Sequence, residues 1–179
     1  LRADANKVKV AGTNQGGPNH LAYVRLVKAL GGNKAFWVPA EGAAPALQLL
    51  ASGAVDVVSS GIAEAESLIG AGEIRAITYM DSKRSDYLPD VSSAAEAGNI
   101  EFVTISGWRG LAGPKGLPDE VVSKIEEALA EVAGSAEFLE FMNSKKYNVS
   151  VLSAKDFEEY LAVRQQAFGD ALRDAGLIQ

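Results

Sequence analysis

The stretch Val10 to His20 reads V-A-G-T-N-Q-G-G-P-N-H, a β-branched run that enters a Gly-rich turn and then a helical pattern. A strand that turns into a helix this way aims backbone N–H groups and the positive end of the helix dipole at one point, which suits a carboxylate or phosphate. Gly16 and Gly17 let the backbone approach an anion closely, and Thr13, Asn14, Gln15 and Asn19 are neutral donors beside them. The glycine spacing matches neither G-x-G-x-x-G nor G-x-x-x-x-G-K-[ST], so nucleotide readings lose their main support. A turn that merely joins a strand to a helix is the alternative. His20 is the single histidine and cysteine is absent, so a transition-metal site would need an unusual carboxylate set; no metal or cofactor is expected. Ser59 or Ser60, His20 and Asp56 make a Ser-His-Asp triad on paper, yet no G-x-S-x-G elbow exists.

Two more junctions of the same kind follow. V-P-A-E-G-A-A-P-A, Val38 to Ala46, offers Glu41, Gly42, Ala43 and Ala44, with small residues that leave N–H groups accessible. V-D-V-V-S-S-G-I-A-E, Val55 to Glu64, offers Ser59, Ser60 and Gly61. Three strand-to-helix junctions at the carboxyl ends of neighbouring parallel strands converge on one crevice, where open α/β sheets bind ligands. Glu41 and Glu64 would repel an anion there and are expected to face solvent or a neighbouring lobe. In S-G-W-R-G, Arg109 can clamp a carboxylate bidentately or bond to backbone carbonyls, and Trp108 reads as packing.

The elements that must position these residues alternate short β-branched runs with helical stretches from Lys7 to Gly113, the signature of βαβ units and a mostly parallel sheet. Five strands are expected, at Val8–Ala11, Ala35–Val38, Val55–Ser59, Ile74–Tyr79 and Phe102–Ser106. Leu21, Val24, Val27 and Leu30 form one apolar helical face that ends at Gly31-Gly32. Pro45 suits a first helical position, Gly53 a helix stop, and Ala63 to Ile69 a further short helix. After Pro114-Lys115-Gly116-Leu117-Pro118 long helical periodicity takes over, with Val121, Ile125, Leu129 and Val132 on one face. Ala136 to Ser144 reads as a helix and Val149 to Leu152 as a strand. Ser153 with Asp156 caps a last helix bearing Phe157, Leu161, Phe168 and Leu172. The expected organisation is an α/β ligand-binding lobe over 1–113 and a mostly helical tail over 114–179 whose apolar faces need a further domain to cover them.

Seventeen basic and twenty-three acidic residues give a net charge of −6, which works against phosphate neutralisation and makes nucleic acid an unfavourable partner. Residues 1–118 hold 11 acids and 11 bases, whereas residues 119–179 hold 12 acids and 6 bases, so the first part is electrically fit to host an anion. No apolar stretch reaches the roughly 18 residues that a membrane span requires. The chain starts at Leu1 and not Met, which leaves room for a removed leader.

G-T-N-Q-G-G-P-N-H-L, V-P-A-E-G-A-A-P-A-L, L-L-A-S-G-A-V-D-V, I-G-A-G-E-I-R-A-I and G-W-R-G-L-A-G-P-K-G-L-P together resemble the substrate-binding proteins of bacterial tripartite tricarboxylate transporters, the TctC or Bug family. The likeness runs in order over nearly the whole chain. It implies a type II periplasmic-binding-protein fold with two lobes that close like jaws, this chain being the second lobe plus a tail that crosses to the first. It also implies a periplasmic, non-enzymatic receptor for a small di- or tricarboxylate such as citrate, working with the membrane subunits of the transporter. Ligand contacts are implied at Thr13 to His20, at Glu41 to Ala44 and at Ser59-Ser60-Gly61. Two departures concern ligand identity: Ala40-Glu41 differ from the family's usual residues, and Ser60-Gly61 stand where many members have Asp-Asn. The rival readings are an α/β hydrolase or transferase using His20 with Ser60, and a ligand-sensing regulatory domain. Self-association through the uncovered faces is expected.

Overall fold

Parallel pairing of three short strands organises the first part of the chain. The computed structural model describes residues 7–32, 35–102, 104 and 107–179. Strand β1 is Lys9–Gly12, β2 is Phe36–Pro39 and β3 is Val57–Ser59, in the spatial order β2-β1-β3. Val10 lies opposite Trp37 and Val57, and Gly12 opposite Pro39 and Ser59, so all three carboxyl ends reach one edge. Helix α1, Pro18–Ala29, follows β1; α2, Ala43–Ala51, follows β2; and α3, Ile62–Gly70, follows β3. Parallel crossovers are right-handed and the strand order reverses at β1, so the first two helices go to opposite faces. Their cores agree: Val10, Tyr23, Val24, Val27 and Ala35 pack with Trp37 and Val57 on one face, and Ala11, Ala46 and Val55 pack with Val38, Leu49 and Leu50 on the other.

The boundaries follow from local chemistry. Helix α1 ends in a Schellman motif, with Gly31 at φ +60° and the N–H groups of Gly31 and Gly32 donating to Lys28 and Val27 carbonyls at 2.9 and 3.0 Å. Pro45 sits at the third helical position and not the first, still within the turn whose N–H groups need no helical partner. The expected strand at Ile74–Tyr79 is absent: those residues lie outside any strand save for an isolated bridge from Tyr79 to Ser93. Polar groups explain it, because Thr78 Oγ1 and Tyr79 N both donate to the Ser92 carbonyl, at 3.1 and 3.0 Å, and Ala94 N donates to Tyr79 O at 2.7 Å. The segment thus pairs with the entry to α4, Ala94–Gly98, and not with the sheet. Of the strand expected at Phe102–Ser106, Phe102 and Thr104 are not in a strand, and Val103, Ile105 and Ser106 lie outside the described residues. The sheet therefore holds three strands among the described residues where five were expected.

Two compact units emerge, Leu1–Ser106 with Gln166–Gln179, and Gly107–Gln165. In the first, Ala171, Phe168 and Leu172 pack against Leu21, Ala22 and Met80, and Lys28 Nζ bridges Asp174 at 2.7 Å. The second contains α5, Asp119–Gly134, α6, Ala136–Ser144, and residues 154–165 of α7, Ala154–Ala175. Ser153 caps α7 as expected, its Oγ accepting from Asp156 N at 3.1 Å. The strand expected at Val149–Leu152 does not form, and Val151 and Leu152 are half exposed. Val121, Ile125, Leu129 and Val132 on α5 are 39–56% exposed. Among the described residues no helix is long and apolar enough to cross a membrane.

Candidate functional site

A strand order of β2-β1-β3 places a topological switch between β1 and β3, and the crevice of such sheets opens outside the carboxyl ends of those strands. Gly12 and Ser59 end the two strands in register. The Gly-rich loop leaves Gly12, and the Ser60-Gly61 turn leaves Ser59 and starts α3, which packs beside α2.

The loop is more internally bonded than its composition suggests. Gly16, at φ +80°, donates its N–H to His20 Nδ1 at 3.1 Å, and Gly17 donates to the Asn14 carbonyl at 2.9 Å. Both glycine N–H groups are therefore engaged inside the loop. The glycines shape the loop instead: the positive φ of Gly16 favours a residue without Cβ, and a Cβ on Gly17 would stand 3.0 Å from the Asn14 carbonyl. Asn19 Nδ2 reaches Thr13 Oγ1 at 3.4 Å, while Asn14 and Gln15 are exposed at the tip. Gly17 caps α1 without a side-chain bond and no acid lies in the first turn, so neither a cap side chain nor a first-turn acid compensates the positive end of this helix. The same holds for α2, capped by Gly42, with Ala43 and Ala44 in its first turn and Glu41 exposed as expected.

The third junction differs. Gly61 N donates to Glu64 Oε2 at 2.6 Å, so the carboxylate, exposed as expected, caps the start of α3. Ser59 is buried and donates its hydroxyl to the Asn19 carbonyl at 2.8 Å, tying β3 to the first turn of α1; it is a strut and not a free ligand donor. Ser60 Oγ lies 3.4 Å from the Gly61 carbonyl.

Beneath the loop, the sequence reading missed Trp37. Its ring packs on His20 at 4.5 Å between centroids and stacks on Tyr23 at 5.7 Å, and its Nε1 is buried without a hydrogen-bond partner. Strand alternation puts Phe36 and Trp37 on opposite faces without saying which turns inward; with Phe36 67% exposed it is Trp37. Burial pushes the Tyr23 hydroxyl above its usual pKa, and that hydroxyl accepts the buried Ala35 N–H at 2.7 Å.

The triad assembled on paper is not present. Asp56 sits at the amino end of β3, where its carboxylate accepts Lys9 N–H at 2.8 Å, at the sheet edge opposite Ser59. The two serine hydroxyls point at carbonyls, and His20 Nδ1 holds the Gly16 N–H. Arg109 belongs to the second unit, where it donates to the Trp108 carbonyl at 3.0 Å, and Trp108 packs edge-on against Phe157. Among the described residues no group of three or more His, Asp or Glu is placed to hold a metal.

The lobe has the fold of a periplasmic binding protein: it superposes on the periplasmic binding protein BugD with a TM-score of 0.71 at 27% identity, over 97% of this chain and 58% of that one. The chain belongs to the tripartite tricarboxylate transporter family receptor family, TctC, whose model matches residues 1–177. It is 23% identical over 177 residues to a UPF0065 protein of Bordetella pertussis, covering 99% of this chain and 54% of that one. A TctC solute-binding protein from Polaromonas, solved without ligand, superposes with a TM-score of 0.74 at 25% identity over 98% of this chain and 58% of that one. An R. palustris protein solved with adipate gives a TM-score of 0.73 at 23% identity, over 96% of this chain and 56% of its own. The chain spans between 30% and 54% of the length of the curated relatives it matches.

Proposed function

We propose that this chain supplies the second lobe of a non-enzymatic, periplasmic receptor that captures a small di- or tricarboxylate, citrate among the candidates, and delivers it to the membrane subunits of a tripartite transporter. The observation that carries the reading is the pair of helix N-termini, α1 and α2, that end at one sheet edge with no acidic residue in their first turns. Such ends favour an anion through the helix dipole and unpaired N–H groups. Binding uses those N–H groups with Thr13, Asn14, Gln15 and Asn19, more than ion pairs. Adipate, seen in the R. palustris relative, is a dicarboxylate of the proposed class. The exposed apolar face of α5 and the share of the relatives' length that the chain spans support a further lobe covering the tail. The engagement of the Ser59 and Ser60 hydroxyls with carbonyls disfavours the hydrolase reading.

The test is calorimetric titration of the chain and of the full-length gene product containing it with citrate, succinate, aspartate, glutamate and nicotinate. Binding of a di- or tricarboxylate by the full-length product, abolished by Gly17→Leu with the fold intact, supports the reading. Absence of binding by any of the five refutes it.

A further inference from the structure

His20 sits in the first turn of α1, is 6% exposed and is the one histidine in the chain. Its Nδ1 accepts the Gly16 N–H at 3.1 Å. A ring nitrogen accepts a hydrogen bond only while it carries no proton, so this bond requires the neutral imidazole with its hydrogen on Nε2. The ring also rests on Trp37, with 4.5 Å between centroids and 52° between planes.

Imidazole changes charge between about pH 5 and pH 8. A proton on Nδ1 sets a donor against the Gly16 N–H, and two donors cannot bond. The contact with Trp37 survives that change, because its ring lies within the roughly 6 Å over which an aromatic face attracts a cation. Gly16 is at φ +80°, where a glycine is held by its contacts and not by sterics, so it is free to move once released. Two other fastenings stay. Gly17 N–H remains on the Asn14 carbonyl at 2.9 Å, and Leu177 and Leu172 close the side of Gly16 where a Cβ would stand, at 3.3 and 3.7 Å. The turn is therefore loosened at Gly16 and not unravelled.

The ionisable groups of the surrounding elements are bound to other partners. On α1 the Tyr23 hydroxyl takes the Ala35 N–H. On α7 Asp170 pairs with Arg173, and Asp174 with Lys28. Asp81, next to the Met80 that packs on Leu21, takes the hydroxyls of Ser82 and Thr104. Glu64 is bound at Gly61, Glu41 is exposed, and Asp56 and Lys9 meet at the opposite sheet edge.

We propose that His20 is a proton-operated latch on the Gly-rich turn: as the neutral imidazole it holds the Gly16 N–H, and as the imidazolium it releases that N–H and keeps its place against Trp37. The latch is closed on the alkaline side of the imidazole transition and open on the acid side. It goes beyond the receptor reading and does not depend on which ligand, if any, the turn meets.

The test is NMR on the full-length gene product containing this chain, without ligand, from pH 8 to pH 5. Gln15-Gly16 is the one Gln-Gly step in this chain, so carbonyl-13C glutamine with 15N glycine picks out the Gly16 amide; 13C-labelled histidine reports the imidazole. The Gly16 amide proton is expected to shift upfield as its bond is lost, with the same midpoint as the His20 ring. His20→Asn keeps an acceptor oxygen where Nδ1 stands and cannot titrate, so its Gly16 amide should stay at the bonded position throughout. A Gly16 amide that does not move while the ring titrates, or a ring that stays neutral down to pH 5, overturns the proposal in wild-type protein alone. A Gly16 amide that shifts equally in His20→Asn overturns it too, since another group would then drive the change.

Discussion

Replacing Gly12 by alanine tests how the sheet edge and the Gly-rich loop are held together. A Cβ at Gly12 would lie 2.4 Å from Trp37 Cη2, 2.8 Å from Cζ2 and 3.0 Å from the Ser59 carbonyl oxygen. Contacts this short force movement of the indole by about 1 Å or more, since ordinary carbon contacts begin near 3.5 Å. The ring has little freedom to give, with His20 and Tyr23 packed on it at 4.5 and 5.7 Å. Overpacking of this kind costs about 1–3 kcal/mol, a fall in Tm of roughly 2–12 °C for a chain of this size. The assay is urea unfolding followed by far-UV circular dichroism, in the wild-type background and in one carrying Trp37→Leu. With the ring trimmed, Gly12→Ala should cost about 1 kcal/mol less, the coupling expected of residues in direct contact. Equal costs in both backgrounds would refute the argument that Trp37 is what demands glycine at this position.

Two other expectations test the same unit. Tyr23→Phe leaves the buried Ala35 N–H without its acceptor and should lower stability by about 1–3 kcal/mol in urea titration; a neutral result would mean that water or a shifted backbone replaces the bond. In wild-type protein the raised Tyr23 pKa adds stability that is present below 10.0 and lost as pH rises through the higher folded value; Tyr23→Phe removes that alkaline loss. Glu96 is the acid-side counterpart: the Arg84 side chain, 2.8 Å away, and the Ser93 N–H hold its carboxyl below 4.5. Its contribution is present above 4.5 and disappears as pH falls through the lower folded value, so Glu96→Gln should lower Tm at neutral pH, converge with wild type in acid and so flatten the acid limb of a Tm-against-pH curve.

Period and punctuation made much of the fold readable. Strands β1 to β3 lie within two residues of the expected bounds because β-branched pairs sit between Gly and Pro stops, and α6 matches its expected span. The errors have one cause. Ile74–Tyr79 and Val149–Leu152 carry strand-like composition, but a strand needs a neighbouring edge to bond, and composition does not reveal whether one is free. At Tyr79 the available carbonyl belongs to Ser92, and the segment took it. The Gly-rich turn between β1 and α1 was located correctly, but which of its N–H groups stay open depends on the rotamer of His20 and the φ of Gly16 and not on residue spacing.

Asp56 and Glu64 show why position along a strand decides more than residue type. Both belong to one junction, eight residues apart, and both accept a backbone N–H. Asp56 precedes β3, so it can only reach the amino edge of the sheet, where it fastens Lys9 and the start of β1. Glu64 lies in the first turn of α3, beyond the carboxyl end of β3. Parallel sheets put every helix N-terminus at that edge, so an acid there adds to the field a ligand meets, and an acid at the other edge does not. Charge counts alone rank the two residues equally. Strand direction separates them: removal of the Asp56 charge is expected to loosen the start of β1, and removal of the Glu64 charge to loosen the start of α3, and hydrogen exchange at Lys9 and Gly61 reads the two apart.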